Sequence, residues 1–464
     1  MVTSNQDPVV FLVQRAMETS FHDLPELTLS KAKTFLLDTF GVGVIGSRGF
    51  RVEPITDMAM AWGSGDEATI WVSGRRVAAP VAAIVNAYQI HCLEFDCVSD
   101  AAVLHPLATV LSSLMAYAER RSHQGRPVDG KSFLTAVTLG VDVAVFLGLA
   151  ATGPTRFFRP GVAGGFGAAL ALSKLEGFDR DTTIAVLGNQ YAQTSGTMQS
   201  HVEGSPLLGL QVGMNSRAAI MACDLASAGI LGPRDTITGQ YGYARLIEGG
   251  RFDPERGIEA LRQGFQIERL SHKPYPTGRL VHGSLEGVDT LRKQHGFSAD
   301  EIEAITCFVP PLVNRLVARP DVARPTANYA KLCLAFIIGT LLNHGSVNVE
   351  HFVGEDMLFD PRTHEIAARV TVVQNDNPDD TAMVPVKVTV RLKSGVSHTI
   401  DIEQAFGHPD VPLSREQNVE KFWKAWRSVK GMSDEAGQRL VEQVDNLERI
   451  PDVAILARTV SRTN

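Results

Sequence analysis

Between Leu29 and Ala228 the chain repeats one pattern, apolar residues at steps of three or four with glycine and alanine inside the runs. Leu29, Ala32, Leu36, Phe40 and Val44 make one such stripe, the spacing of a single helix face. Thr28 or Ser30 is the expected cap at its start and Gly46 the expected stop. Ala-rich runs of the same kind span 81–93, 105–120, 132–150, 164–175 and 215–228. Each glycine inside a helix costs about 1 kcal/mol relative to alanine. So many of them imply helices packed at close range and buried on several faces, the core of a large helical body.

The texture changes after SHKPYPTGRLVHG at 271–283. IEAITCFVP at 302–310 and AARVTVV at 367–373 read as strands, and VKVTVRL at 386–392 alternates β-branched and polar residues with the period of a half-buried strand. Lys393, Ser394 and Gly395 supply a turn, so 397–402 is expected to return as a hairpin partner. Residues 329–342 are again helical in pattern, and a charged helical tail with Trp423 and Trp426 follows Pro412. The expected fold is mainly α: an all-helical body over 1–267, a smaller α+β lid domain over 268–404, and C-terminal helices over 405–464 that return to the body.

Charge and composition exclude several classes. With 44 basic and 51 acidic residues the net charge is −7, whereas a nucleic-acid binder needs a surplus of Lys and Arg against the phosphates. The apolar run from Leu332 to Leu342 falls short of the ~18 residues of a membrane span, and the run around Val145 is interrupted by Asp142. MVTSNQDPVV has no basic region followed by an apolar core, and five unevenly spaced cysteines suit a reducing compartment. A cytoplasmic protein without nucleic-acid or membrane partners is expected.

Three segments carry candidate chemistry. HCLEFDCVSDAAVLHP places His91, Glu94, Asp96, Asp100 and His105 around a helix end and the following loop. Carboxylates beside imidazoles can form a general acid–base pair, or simply a charged, solvated loop. Cys92 and Cys97 lack the spacing of a zinc site, and His201 with Glu203 is half of a zinc-deaminase signature without its cysteine half, so no metal is expected. In RFFRPGVAGGFGAALAL the glycines read as close helix packing rather than a dinucleotide loop, which needs a preceding strand. Arg156 and Arg159 before that helix could seat a carboxylate. In KPYPTGRLVHG, Pro274 and Pro276 stiffen a loop bearing Lys273, Tyr275, Arg279 and His282, which suits either a rigid hinge or a ligand site. His344 and His351 share no helical phase and carry no reading.

In this order, and with FLLDTFGVGVIGS, GSPLLGLQVGMNSRAA and LKSGVSHTIDIEQAFGHPDVPLS around them, these segments resemble the MmgE/PrpD family over essentially the whole chain. That family includes 2-methylcitrate dehydratases, cis-aconitate decarboxylases and an iminodisuccinate epimerase. The resemblance implies a helical body with an α+β lid, a homodimer, no metal or redox cofactor, and chemistry through a carboxylate-stabilised carbanion on a small acid. His105 matches the family's active-site histidine, Asp96 lies in its acidic run, and Glu94 stands where aspartate is common. Lys273 and His282 match the first and last charged positions of the KPYP-type motif. Against the family pattern, Arg159 replaces a histidine, Leu208 a lysine, Gly278 a histidine or cysteine, Phe336 a tyrosine and Val98 a small hydroxyl residue. A pocket with fewer polar donors implies a substrate with fewer charges or a bulkier apolar part, its carboxylate held by Arg159 or Lys273, since buried charge left unpaired costs several kcal/mol. Tyr275 and Arg279 complete the expected substrate contacts. The reading is a cofactor-independent lyase of dehydratase or decarboxylase type, against two rivals: an epimerase that returns the proton to the opposite face, and a non-catalytic carboxylate-binding paralogue.

Overall fold

In the computed structural model, which describes residues 6–63 and 65–462, the glycine-rich runs form helices that touch through their backbones. Helix Gly130–Ala150 lies along Arg159–Glu176, which also packs on Pro106–His123 and Leu207–Ser227. A Cβ on Gly167 would collide with the Gly140 carbonyl, and one on Gly46 with the Gln89 carbonyl. The helices therefore approach more closely than any side chain would permit, which is what the interior glycines supply in return for their helix-propensity cost.

Helix Glu26–Gly46 ends at the expected glycine, but its start differs. It begins directly after Pro25, and neither Thr28 nor Ser30 caps it; the Thr28 hydroxyl instead donates to the Glu268 carboxylate. Helix Gly130–Ala150 has the length and apolarity of a membrane span despite Asp142, yet it is almost wholly buried among the other helices. Asp142 is accommodated there by Arg15 at 3.0 Å and by the Gln266 backbone N–H at 2.8 Å.

The second hydrophobic cluster runs from Leu280 to Ile402. Four strands lie in the order Val370–Gln374, Ile302–Val309, Val386–Leu392, Ser397–Ile402; the first pair is parallel and the others antiparallel. The hairpin has the expected limits, with Val386 opposite Ile402 and Arg391 opposite Ser397. The strand expected at 367–373 starts later, because Ala367 closes helix Pro361–Ala367. The continuous helix expected over 329–342 is broken: Ala327–Ala330 and Leu334–His344 are separated at residues 331–333. Helix Arg415–Arg427 packs on Glu26–Gly46, with Phe422 and Trp426 buried in the body's core. The architecture is mainly α, a large helical body with a small α+β domain.

Candidate active site

Helix Ala79–His91 ends in a loop that is buried rather than solvated, from Cys92 through Ser99. It turns back sharply at Glu94, whose φ of 53° is left-handed; for a non-glycine residue this costs on the order of 1–3 kcal/mol and has to be imposed by surrounding contacts. The contacts are visible. Val98 exchanges two backbone hydrogen bonds with Ser271, at 3.0 and 2.7 Å, which brings the KPYP segment alongside the loop. Two residues further on, the fully buried Lys273 Nζ donates to the Glu94 carboxylate at 2.9 Å and to the Glu94 carbonyl at 3.1 Å. Lys331, in the break between the two lid helices, donates to the Cys92 carbonyl from the other side.

The acidic loop and the two histidines form one network. His91 Nδ1 lies 3.0 Å from Asp96 Oδ2, and its Nε2 is 3.5 Å from Glu94 Oε1. His105, immediately before helix Pro106–His123, places Nδ1 3.0 Å from the Cys97 carbonyl and 3.4 Å from Asp96 Oδ1. Both neighbours are acceptors, so His105 Nδ1 carries the hydrogen and Nε2 keeps its lone pair. Burial favours the neutral form of His105, and Lys273 adds to it, lowering its pKa below the usual 6.5. For His91 burial acts the same way, but Asp96 and Glu94 outweigh it and raise the pKa. Glu94 and Asp96 are held well below the carboxylate range: burial opposes this, but Lys273 and the imidazoles at Glu94, and both imidazoles at Asp96, prevail. The result is a neutral imidazole backed by fixed carboxylates.

Among the described residues, ligand atoms of His91, Asp96 and His105 lie within 4.8 Å of one another, close enough to share an ion. The donor set argues against it, because the His105 nitrogen facing that centre is an N–H committed to the Cys97 carbonyl.

His105 and Glu94 line a small cavity of about 60 Å³ between body and lid. Its other polar lining comes from Thr155, Arg159, His201 and Arg279. Val98, Val103, Met198, Leu316, Leu332 and Met383 make it largely apolar.

The remaining expected residues are distributed unevenly about this cavity. Gly278 lines it. Leu208 lies in an adjoining small hollow with His91 and Glu94. Lys273 stands behind Glu94, so its ammonium acts on the cavity through that carboxylate. Arg159 reaches the wall, but its guanidinium is spent on buried Glu248, at 3.2 Å, and Tyr243 donates to the same carboxylate. Arg279 is likewise committed, to Asp100 at 3.2 Å and to the carbonyls of Ala405 and Phe406. His282 and Tyr275 are not on the lining: His282 Nε2 meets the Thr277 hydroxyl at 3.1 Å, and the Tyr275 ring packs edge-on against His282. The flanking Pro274 and Pro276 border a separate hollow with Phe95 and Lys421. Phe336 belongs to the lid's core, where it packs against Phe352 and against His364 of helix Pro361–Ala367 instead of reaching the cavity. The sequence offers His201 only as half of a zinc-deaminase signature, which is set aside, and gives Arg319 and Lys331 no role; neither of these two stands in a local pattern that announces a site.

The MmgE/PrpD N-terminal domain model matches residues 12–255 and the MmgE/PrpD C-terminal domain model residues 275–447. The chain belongs to the MmgE/PrpD family. It is 26% identical to the cis-aconitate decarboxylase-like protein oryM of Aspergillus oryzae, over 95% of this chain and 94% of that protein. It is 24% identical to the cis-aconitate decarboxylase of Homo sapiens, over 93% and 90%, and 25% identical to that of Mus musculus, over 93% and 88%.

Proposed function

We propose that this MmgE/PrpD protein is a lyase of dehydratase or decarboxylase type acting on a small hydroxy or unsaturated carboxylic acid, with His105 as its proton carrier. One observation carries the reading: a neutral imidazole whose Nδ1–H is tied to Cys97 and Asp96 lines a mostly apolar cavity, with its Nε2 lone pair left free. In the proposed reaction Nε2 takes a proton from the carbon beside the carboxylate. The C–H electron pair passes into the carboxylate as an enolate, and then expels a leaving group from the neighbouring carbon. For a decarboxylation the order changes: the C–C bond breaks first and CO₂ leaves, its bonding pair stays on the carbon chain as a carbanion, and His105, which must first take a proton from solvent, gives that Nε2 proton to the carbon. Asp96 keeps the ring in one tautomer and stabilises the imidazolium that forms, while Glu94 and Lys273 set the local charge.

The charge pairing of the walls narrows the substrate class. Lys273, Arg159 and Arg279 already face Glu94, Glu248 and Asp100. A tricarboxylate would bring charges that these cations cannot pair, so the proposed substrate has one or two carboxylates and an apolar body. The test is turnover of an acid panel in D₂O followed by proton NMR, with cis-aconitate beside mono- and dicarboxylic unsaturated and hydroxy acids. Loss of water or CO₂ from a mono- or dicarboxylate faster than from cis-aconitate is expected. Deuterium exchange with unchanged formula would move the assignment to an epimerase, and binding without turnover would make the protein a carboxylate-binding paralogue.

A further inference from the structure

The cavity holds a second histidine that the acid–base network does not use. His201, in the short helix Gln199–Glu203, is 6% exposed and lines the same cavity as His105. Arg319 approaches it from behind. Its Nη2 lies 3.3 Å from His201 Nδ1, 3.3 Å from the His201 carbonyl and 3.1 Å from the Leu316 carbonyl, so its two hydrogens are shared among these three acceptors. A guanidinium has only hydrogens to offer, so an N–H on His201 Nδ1 would set two donors head to head. Nδ1 therefore carries the lone pair and Nε2 the hydrogen. Protonating the ring would create the same clash, and burial together with Arg319 pushes the His201 pKa down to about 4. No protein acceptor meets His201 Nε2 among the described residues. Arg319 itself has no carboxylate within ion-pair distance among those residues; its Nη1 is buried without a partner, and its guanidinium rests on the Tyr329 ring at 4.9 Å.

The two cavity histidines are thus locked in opposite tautomers by different neighbours. His105 presents a lone pair because the Cys97 carbonyl holds its Nδ1–H; His201 presents an N–H because Arg319 occupies its Nδ1. We propose that His201 is a substrate-contacting residue whose Nε2–H donates to a carboxylate oxygen of the acid, with Arg319 as the positioning residue that fixes its tautomer. The inference rests on the proposed acid-processing role of the cavity and adds to it the group that orients the substrate. A neutral N–H aimed by a cation behind it supplies a hydrogen bond that strengthens as negative charge moves onto the carboxylate, without placing a full charge in an apolar wall. It also explains how the cavity can receive an anion although Arg159 and Arg279 already have carboxylate partners.

The experiment has two arms. In the first, long-range ¹H–¹⁵N NMR of ¹⁵N-histidine protein between pH 6 and 8, assigned with the variants, reads tautomers without any ligand. His201 is expected as neutral Nε2–H and His105 as neutral Nδ1–H, and Arg319→Met is expected to release His201 into a mixture that Arg319→Lys largely prevents. In the second, with the most active acid of the panel, His201→Leu is expected to raise KM at least tenfold with kcat changed less. His201→Gln, whose side-chain N–H reaches the same point, is expected to recover KM to within about threefold. A protonated or Nδ1–H His201, or Leu and Gln variants with equal KM, would overturn the inference. A wild-type protein that neither binds nor turns over any acid would instead remove the functional reading beneath it, whereas an active wild type with an unaltered His201→Leu variant removes this inference alone.

Discussion

Replacing Lys273 by methionine tests the electrostatic frame of the site. Lys273 Nζ and Glu94 Oε2 are 2.9 Å apart, with the lysine fully buried and the glutamate 8% exposed. At an effective dielectric of about 20 that separation corresponds to an attraction of about 6 kcal/mol, an upper bound on what is lost. Removing one member of a buried pair costs about 3–5 kcal/mol, because the other is left charged and unpaired. The pH dependence gives the sign. Glu94 has its pKa depressed by folding, so in the wild type its contribution is complete above the unfolded value of 4.5 and fades as pH falls through the folded one. Without Lys273 burial raises the Glu94 pKa, so the variant's penalty is greatest at neutral pH and shrinks toward pH 4. Urea or thermal unfolding of wild type, Lys273→Met, Glu94→Gln and the double variant at pH 7.5 and pH 4.5 reads this directly. The double variant, which holds no unpaired charge, should be more stable than Lys273→Met at pH 7.5. A Lys273→Met penalty that is independent of pH, or that Glu94→Gln leaves untouched, would refute the reasoning.

Three shorter predictions follow from other parts of the structure. If the reaction begins with proton abstraction, the acid limb of kcat/KM should lie below pH 6.5, since His105 must be neutral to accept a proton and burial with Lys273 lowers its pKa; a pH–rate profile checks it, and activity that falls as pH rises through that range marks the decarboxylation route instead. Gly46→Ala should cost about 1–3 kcal/mol or more, because the new Cβ meets the Gln89 carbonyl and the helices must move apart; the melting temperature reports it. The pair Val98→Thr and Leu208→Lys, which adds a hydroxyl to the cavity and a cation to the hollow beside it, should raise kcat/KM for cis-aconitate relative to monocarboxylates at least tenfold, measured by competing substrates.

The elements of body and lid are readable where their signal is local. Leu29 to Val44 buries a stripe at helical spacing, and the 386–392 hairpin alternates on a half-buried sheet. Where tertiary contacts decide, the pattern was silent or misleading. The apolar period over 329–342 continues through a break at Lys331, which leaves the helix to meet the Cys92 carbonyl 239 positions away. The partner of Arg159 is Glu248, 89 residues on, so the expectation of a carboxylate clamp could not foresee a guanidinium already paired. Phe336 is a site candidate by resemblance alone, and its burial in the lid core comes from contacts with Phe352 and His364, which no local pattern announces. His105, Glu94 and Lys273 lie on two segments that the sequence singled out separately; their convergence comes from the Val98–Ser271 backbone bridge, which no side-chain motif encodes. His201 lies in a short polar stretch, and the guanidinium that faces its ring belongs to Arg319, 118 residues later.

The central claim is that the His105 imidazole exchanges a proton with carbon in that cavity. Proton–deuterium exchange beside the carboxylate of the best acid of the panel, followed in D₂O for wild type and His105→Ala of equal melting temperature, measures that step alone. Wild-type protein should exchange or form deuterated product, with His105→Ala slower by about 10²–10⁴. Equal rates in the two proteins would contradict the assignment.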